Sequence, residues 1–191
     1  INLVHYSTEE GEESSMLADM LRIHGLAGTN LHGFQINVAW PEIRQVDDYR
    51  LAMEANEWKS RLVLQVGRKA MFQVGDIPER IAEMLRHYHG VVDDVLIDPS
   101  GGLGQPFDTE RARAILREIR DRFWDLGLGV AGGLGPDTLD LVAPLLEEFP
   151  DLSIDAQGQL RNSDHALDLD RTKRYIQGAL QLFSQRPGKQ V

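Results

Sequence analysis

Apolar residues along this chain follow two alternating periods. Short runs rich in β-branched and aromatic residues, at 1–6, 31–40, 61–66, 92–98, 128–131 and 152–156, read as strands. Between them, apolar positions recur at helical spacing. The stripes are Met16, Leu17, Met20 and Leu21, then Ile43, Val46, Tyr49 and Met53, then Ile77, Ile81, Met84, Leu85 and Tyr88. Two more follow: Ala112, Ile115, Leu116, Ile119 and Phe123, and finally Tyr175, Ile176, Ala179, Leu180 and Phe183.

The punctuation between these runs agrees with them. Pro41-Glu42 can open a helix, and Asp76 with Glu79 three residues on predicts a capping box. Gly90 and Gly127 are expected helix stops. Pro144, inside a helical pattern, predicts a kink. Arg68 and Lys69 read as loop charges closing the third strand, and His24 and His32 as loop residues.

Strand starts fall near Ile1, Leu31, Arg61, Val92, Leu128 and Leu152, a spacing of about 30 residues, the size of one strand-plus-helix unit. Six such units without hairpin signals predict an α/β fold with a parallel sheet. Two architectures fit: an open doubly wound sheet, or a TIM (β/α)8 barrel with strands three to eight visible. The second requires two βα units upstream of Ile1, giving roughly 250 residues in all, the usual barrel size. Because Ile1 stands inside an apolar run, the chain is expected to extend upstream, which favours the barrel. Residues 1–184 form one partial barrel domain in this reading, and 185–191 a loose C-terminal tail.

Composition narrows the class. Of the 191 residues, 42% are hydrophobic and 26% charged, the balance of a globular domain. The net charge of −10 repels nucleic-acid phosphates. No apolar run has the length of a membrane span, and no signal segment is evident. The absence of cysteine excludes disulfides and thiolate zinc sites within this sequence, which suits a cytoplasmic protein.

Candidate chemistry gathers where strands end, since ligands of parallel α/β folds meet side chains there. The run Val95-Leu96-Ile97 delivers Asp98 to a strand end, and a loop with Gly101 and Gly102 follows. Asp98 is the candidate general acid or base; its alternative role is to cap its own loop. Gly132 and Gly133 follow the fifth strand, and Gln157 and Gly158 the sixth. Glycine-rich loops let backbone N–H groups approach an anion, and a following helix N-terminus would add its dipole. In a barrel these two loops follow strands seven and eight, where phosphate is commonly held. The alternative is that Gly-Gly only makes a tight turn. His5 could face the barrel mouth, while His87 and His89 point to opposite sides of a helix and cannot share a metal.

Three segments together resemble phosphoribosylanthranilate isomerase, a (β/α)8 barrel of tryptophan synthesis. They are Leu-Ile-Asp-Pro-Ser-Gly-Gly-Leu-Gly-Gln-Pro-Phe-Asp around Asp98, Val-Ala-Gly-Gly-Leu-Gly-Pro-Asp-Thr-Leu around Gly132, and Ser-Ile-Asp-Ala-Gln-Gly ending at Gly158. Phe34-Gln35-Ile36-Asn37 resembles a further strand of the family. The resemblance implies that Asp98 is a general acid in an Amadori rearrangement, protonating the ribose ring oxygen while a base removes the C2 proton. It implies that Gly132, Gly133 and Gly158 hold phosphate, and it adds Gly101, Gly102, Gln157, Gln35 and Asn37 to the substrate site. The family's cysteine base and carboxylate-binding arginine would lie upstream of Ile1. Leu103, Gln105 and Pro106 replace a threonine, a lysine and a threonine of the family loop, Thr109 replaces tryptophan, and Asn37 replaces histidine. The loop at Gln157–Leu160 is one residue shorter.

The expected function is therefore a phosphosugar isomerase without cofactor or metal, taking a small phosphorylated substrate, with neither nucleic acid nor membrane as partner and a homo-oligomer left open. The alternatives are a protein of the same descent with another phosphorylated or acidic substrate, and a non-catalytic binder of phosphate ligands.

Overall fold

The computed structural model describes residues 1–8, 13–100 and 106–184. Its six strands are β1 (Leu3–Tyr6), β2 (Gly33–Ile36), β3 (Arg61–Gly67), β4 (Asp94–Asp98), β5 (Gly127–Val130) and β6 (Ser153–Ile154). All adjacent pairs are parallel and the order is β1-β2-β3-β4-β5-β6. A doubly wound sheet reverses its strand order midway; this one never does. Right-handed crossovers in a monotonic order place all helices on one face. The described helices are α1 (Met16–Ala27), α2 (Ile43–Ala55), α3 (Arg68–Gln73), α4 (Pro78–Leu85), α5 (Thr109–Arg122), α6 (Ala143–Glu148) and α7 (Leu169–Ser184). None is long and apolar enough to cross a membrane.

The strand period of two separates the sheet's faces. Phe34, Ile36, Leu62, Leu64, Val66, Val95, Ile97, Leu128 and Val130 are buried in the main core with the helix stripes. The intervening positions include His5, Gln35, Gln65 and Asp98, which line a cavity. Most parallel sheets bury two apolar faces. Here the face away from the helices is polar toward the strand ends.

That face is concave. Gln35, on β2, and Asp155, just past β6, line the same cavity, close enough for the Gln35 side chain to act on the Asp155 carboxyl. Four strand spacings separate them, about 19 Å in a flat sheet. Such closeness across that span requires the sheet to curl until its two halves face each other. Gly33 assists the close pairing of β2 and β3: a Cβ there would stand 1.8 Å from the Arg61 carbonyl oxygen.

Several local expectations change. His24 is not in a loop: it continues the buried stripe of Met16 and Met20 in α1, while Leu21 turns to solvent. Its Nδ1 lies 2.9 Å from Tyr49 Oη, and its ring stacks on Trp58. The capping box at Asp76 does not form. Asp76 has a φ of 59° and precedes the helix, which starts at Pro78 with Ile77 as its N-cap; its carboxylate pairs with Arg111 instead. Pro144 does not kink a helix but helps to open α6, where its missing N–H costs no hydrogen bond. Arg68 and Lys69 begin α3, too short to leave a periodic signal. Residues 185–191, expected to be a loose tail, lie outside the described residues.

Candidate functional site

A cavity of about 1130 Å³ opens at the C-terminal ends of the strands, on the helix-free face. Gln35, Asn37, Asp98, Gly132, Gly133, Gln157 and Gly158 all line it, so these expected site residues, drawn from four strand ends, meet in one place. Gly101 and Gly102 lie outside the described residues.

Asp98 is the last residue of β4 and is buried. Gln65 Nε2 donates to its Oδ2 at 2.9 Å, and Ser100 Oγ donates to its Oδ1 at 2.9 Å. Gln65 sits on β3, where strand alternation aims it to the same face. Its Oε1 accepts from Gln35 Nε2 at 2.9 Å and lies 3.2 Å from His5 Nε2. A carbonyl oxygen can only accept, so the His5 proton must be on Nε2. The Gln35 side chain also lies close to the Asp155 carboxyl. A hydrogen-bonded relay thus runs from Gln35 through Gln65 to Asp98 and Ser100, with His5 joined at Gln65 and Asp155 beside it. His5 was expected to be able to face the barrel mouth but had no identified partner, and Gln65 and Asp155 were not singled out from the sequence. The signal available for them was their place, like that of Asp98, near the C-terminal end of a strand run.

Burial pushes the Asp155 carboxyl pKa up, and the negative charge of Asp98 adds to this; His5, the Ala156 backbone N–H and Gln35 oppose it. An acid whose pKa is raised on folding favours the folded state most below its unfolded pKa. That contribution is lost as pH rises through the folded value. Asp155→Asn therefore melts above the parent at pH 7. The difference disappears toward pH 3.5; thermal melts at the two pH values check it.

The glycine loops take an unexpected form. Gly132 and Gly133 have φ of 98° and 68°, the left-handed region that favours glycine. The chain beyond them runs through Gly135 and Thr138 into a 3-10 turn at Leu139–Leu141 before α6 begins. The second loop likewise enters a 3-10 turn, Gly158–Leu160. No helix N-terminus follows either loop directly, so the expected helix-dipole contribution is replaced by loop backbone. The N–H groups of Gly132, Gly133 and Gly158 have no backbone partner among the described residues. Arg161 adds a cation to the same wall.

The Asp98 carboxylate lies against this cradle: a Cβ on Gly132 would be 2.7 Å from Asp98 Oδ1 and 2.7 Å from Ser100 Oγ. An ionisable carboxylate, a second one with a raised pKa and unpaired backbone donors therefore face one space. That set can move protons on an anionic small molecule. Among the described residues, no group of three or more His, Asp or Glu could hold a metal ion. No protein-family model matches the chain, and no curated protein matches it either.

Proposed function

We propose that the six βα units belong to a (β/α)8 barrel and that the protein is a phosphosugar isomerase of the phosphoribosylanthranilate isomerase kind. Two further strands between β6 and β1 would complete the ring. The closeness of Gln35 to Asp155 across the sheet supports closure. So does the fact that Gln35 and Asp98 come from β2 and β4 while Asp155 directly follows β6, since barrel interiors are layered from alternate strands.

The observation that carries the reaction is the contact between Asp98 and the glycine cradle. A phosphate held by the N–H groups of Gly132, Gly133 and Gly158, with Arg161 beside it, places the attached sugar over Asp98. Asp98 protonates the ribose ring oxygen as the bond from C1 to that oxygen breaks. A base takes the proton from C2, and the enolamine tautomerises to the aminoketose. Gln35 and Asn37 face the sugar hydroxyls.

A second reading exchanges the two roles. Both Asp98 oxygens accept hydrogen bonds, whereas burial raises the Asp155 pKa. Asp155 is then the acid and Asp98 the base. The alkaline limb of the pH–rate profile belongs to the acid. Asp155→Asn removes that limb under this reading and leaves it in place under the first.

Turnover of phosphoribosylanthranilate, with thermal shift in excess inorganic phosphate, tests the assignment. Turnover together with phosphate stabilisation is expected. Stabilisation without turnover moves the assignment to another phosphorylated substrate or to a binder. Neither signal removes it.

A further inference from the structure

The proton removed from C2 in the proposed reaction needs a base, and the hydrogen bonds that begin at Asp98 lead to one on β1. An ionised carboxylate only accepts, so the Gln65 amide must turn its NH2 group to Asp98 Oδ2 and its oxygen the other way. A proton carried on Oδ1 leaves this unchanged, because Oδ2 still accepts. The amide oxygen then meets Gln35 Nε2 and His5 Nε2, both of which must donate. With its proton on Nε2, neutral His5 keeps its lone pair on Nδ1. Nδ1 has no hydrogen-bond partner among the described residues, and the exposed ring lines the cavity.

Strand register produces this arrangement. His5 lies directly opposite Gln35. Gln65 lies two residues beyond the β3 partner of Gln35, and Asp98 two residues beyond the β4 partner of Gln65. Steps of two keep all four side chains on one face. Asp98 and His5 therefore hang on the two ends of a single amide, which holds a carboxyl group and an imidazole at a fixed spacing. A histidine that donates from one ring nitrogen to a fixed acceptor presents the other nitrogen as an oriented base. The other histidine on the cavity wall, His165, has no hydrogen bond to its ring among the described residues. The imidazolium formed on proton uptake would be met by Asp155, whose carboxyl is within reach of the His5 charge.

We infer that His5 is the general base of this cavity, taking the substrate proton at Nδ1, and that Gln65 is the positioning residue that fixes its tautomer. The inference rests on the isomerase reading and gives it a base on β1, distinct from the upstream cysteine that the family resemblance implies. Asp98 gives its proton to the ring oxygen as the bond from C1 to that oxygen breaks, leaving a C1=N iminium. Nδ1 then takes the C2 proton. The C2–H electron pair becomes the C1=C2 bond, and the C1=N pair returns to nitrogen. On tautomerisation the imidazolium gives its proton to C1 and the C2 hydroxyl gives its proton to Asp98, so both groups end as they began.

Two measurements test this: the His5 tautomer, read from long-range proton–nitrogen NMR spectra, and turnover of phosphoribosylanthranilate across pH by the parent, His5→Gln, Gln65→Met and His165→Gln. A neutral His5 protonated on Nε2 is expected in the parent, and a mixture of tautomers in Gln65→Met. His5→Gln is expected to lose about 10²–10⁴-fold in kcat together with the acidic limb of the pH–rate profile, which belongs to the base. Its stabilisation by inorganic phosphate should match the parent's, and His165→Gln should keep the parent's rate. A neutral His5 protonated on Nδ1 overturns the inference, and these spectra need only the parent, so they do not depend on how the variants fold. His5→Gln with the parent's kcat and acidic limb overturns it as well, while leaving the isomerase reading in place. No turnover by the parent overturns both.

Discussion

On the proposed isomerase reading, Asp98→Asn lowers the turnover of phosphoribosylanthranilate by about 10²–10⁴-fold, the usual contribution of a positioned general acid or base. The expected loss is chemical rather than structural. Asparagine has nearly the shape of aspartate, and its amide oxygen still accepts from Gln65 Nε2. Its amide nitrogen can donate to Ser100 Oγ, because a hydroxyl both donates and accepts. The melting temperature and phosphate stabilisation should therefore stay close to the parent's while kcat falls. The loss is expected whether Asp98 is the acid or the base, and Asp155→Asn then separates the two. A variant that turns over the substrate as fast as the parent would remove the isomerase reading.

Gly132→Ala should destabilise the protein by roughly 2–4 kcal/mol, combining backbone strain and overpacking. The φ of 98° is unfavourable for alanine, and the new methyl would stand 2.7 Å from both Asp98 Oδ1 and Ser100 Oγ. The carboxylate and the hydroxyl must move, so turnover and phosphate affinity fall together. Gly90→Ala is the control. Gly90 has a φ of 83°, but nothing lies within 4 Å of its added Cβ. It carries backbone strain alone, about 1–2 kcal/mol, and should leave turnover intact. Denaturant unfolding and kinetics on the two variants separate strain from contact. Equal losses in both would show that the Gly132 loop does not press on Asp98.

Much of the architecture was legible before any coordinates. The order and spacing of the six strand-plus-helix units hold, although β2 is shorter than its apolar run and β6 keeps only two residues. The stripe of Ala112, Ile115, Leu116 and Ile119 is buried as its periodicity requires. Local signals failed where a tertiary contact outweighed them. Asp76 had the spacing of a cap but is held by Arg111, and His24 had no apolar character to place it on the buried stripe of α1. The site divides in the same way. Asp98 and the glycines stood out because a strand end and a Gly-Gly turn each have a local signature. Gln35 was reached only through family resemblance, and Gln65 not at all, because glutamine in a strand carries no signature of its own.

The sequence by itself determined the parallel α/β class, the six units, the place of Asp98 and the glycine loops, since each follows from the periodicity or turn chemistry of a few adjacent residues. Only the tertiary structure decided that Gln35 reaches Asp155, that His5 meets Gln65 across 60 positions of chain, and that Arg68, Phe72 and Pro99 share a pocket with Arg111. Those meetings depend on how tightly the sheet curls and how short loops set one unit against the next. Curl is a sum of small twists over all six strands, and no single stretch of residues encodes it.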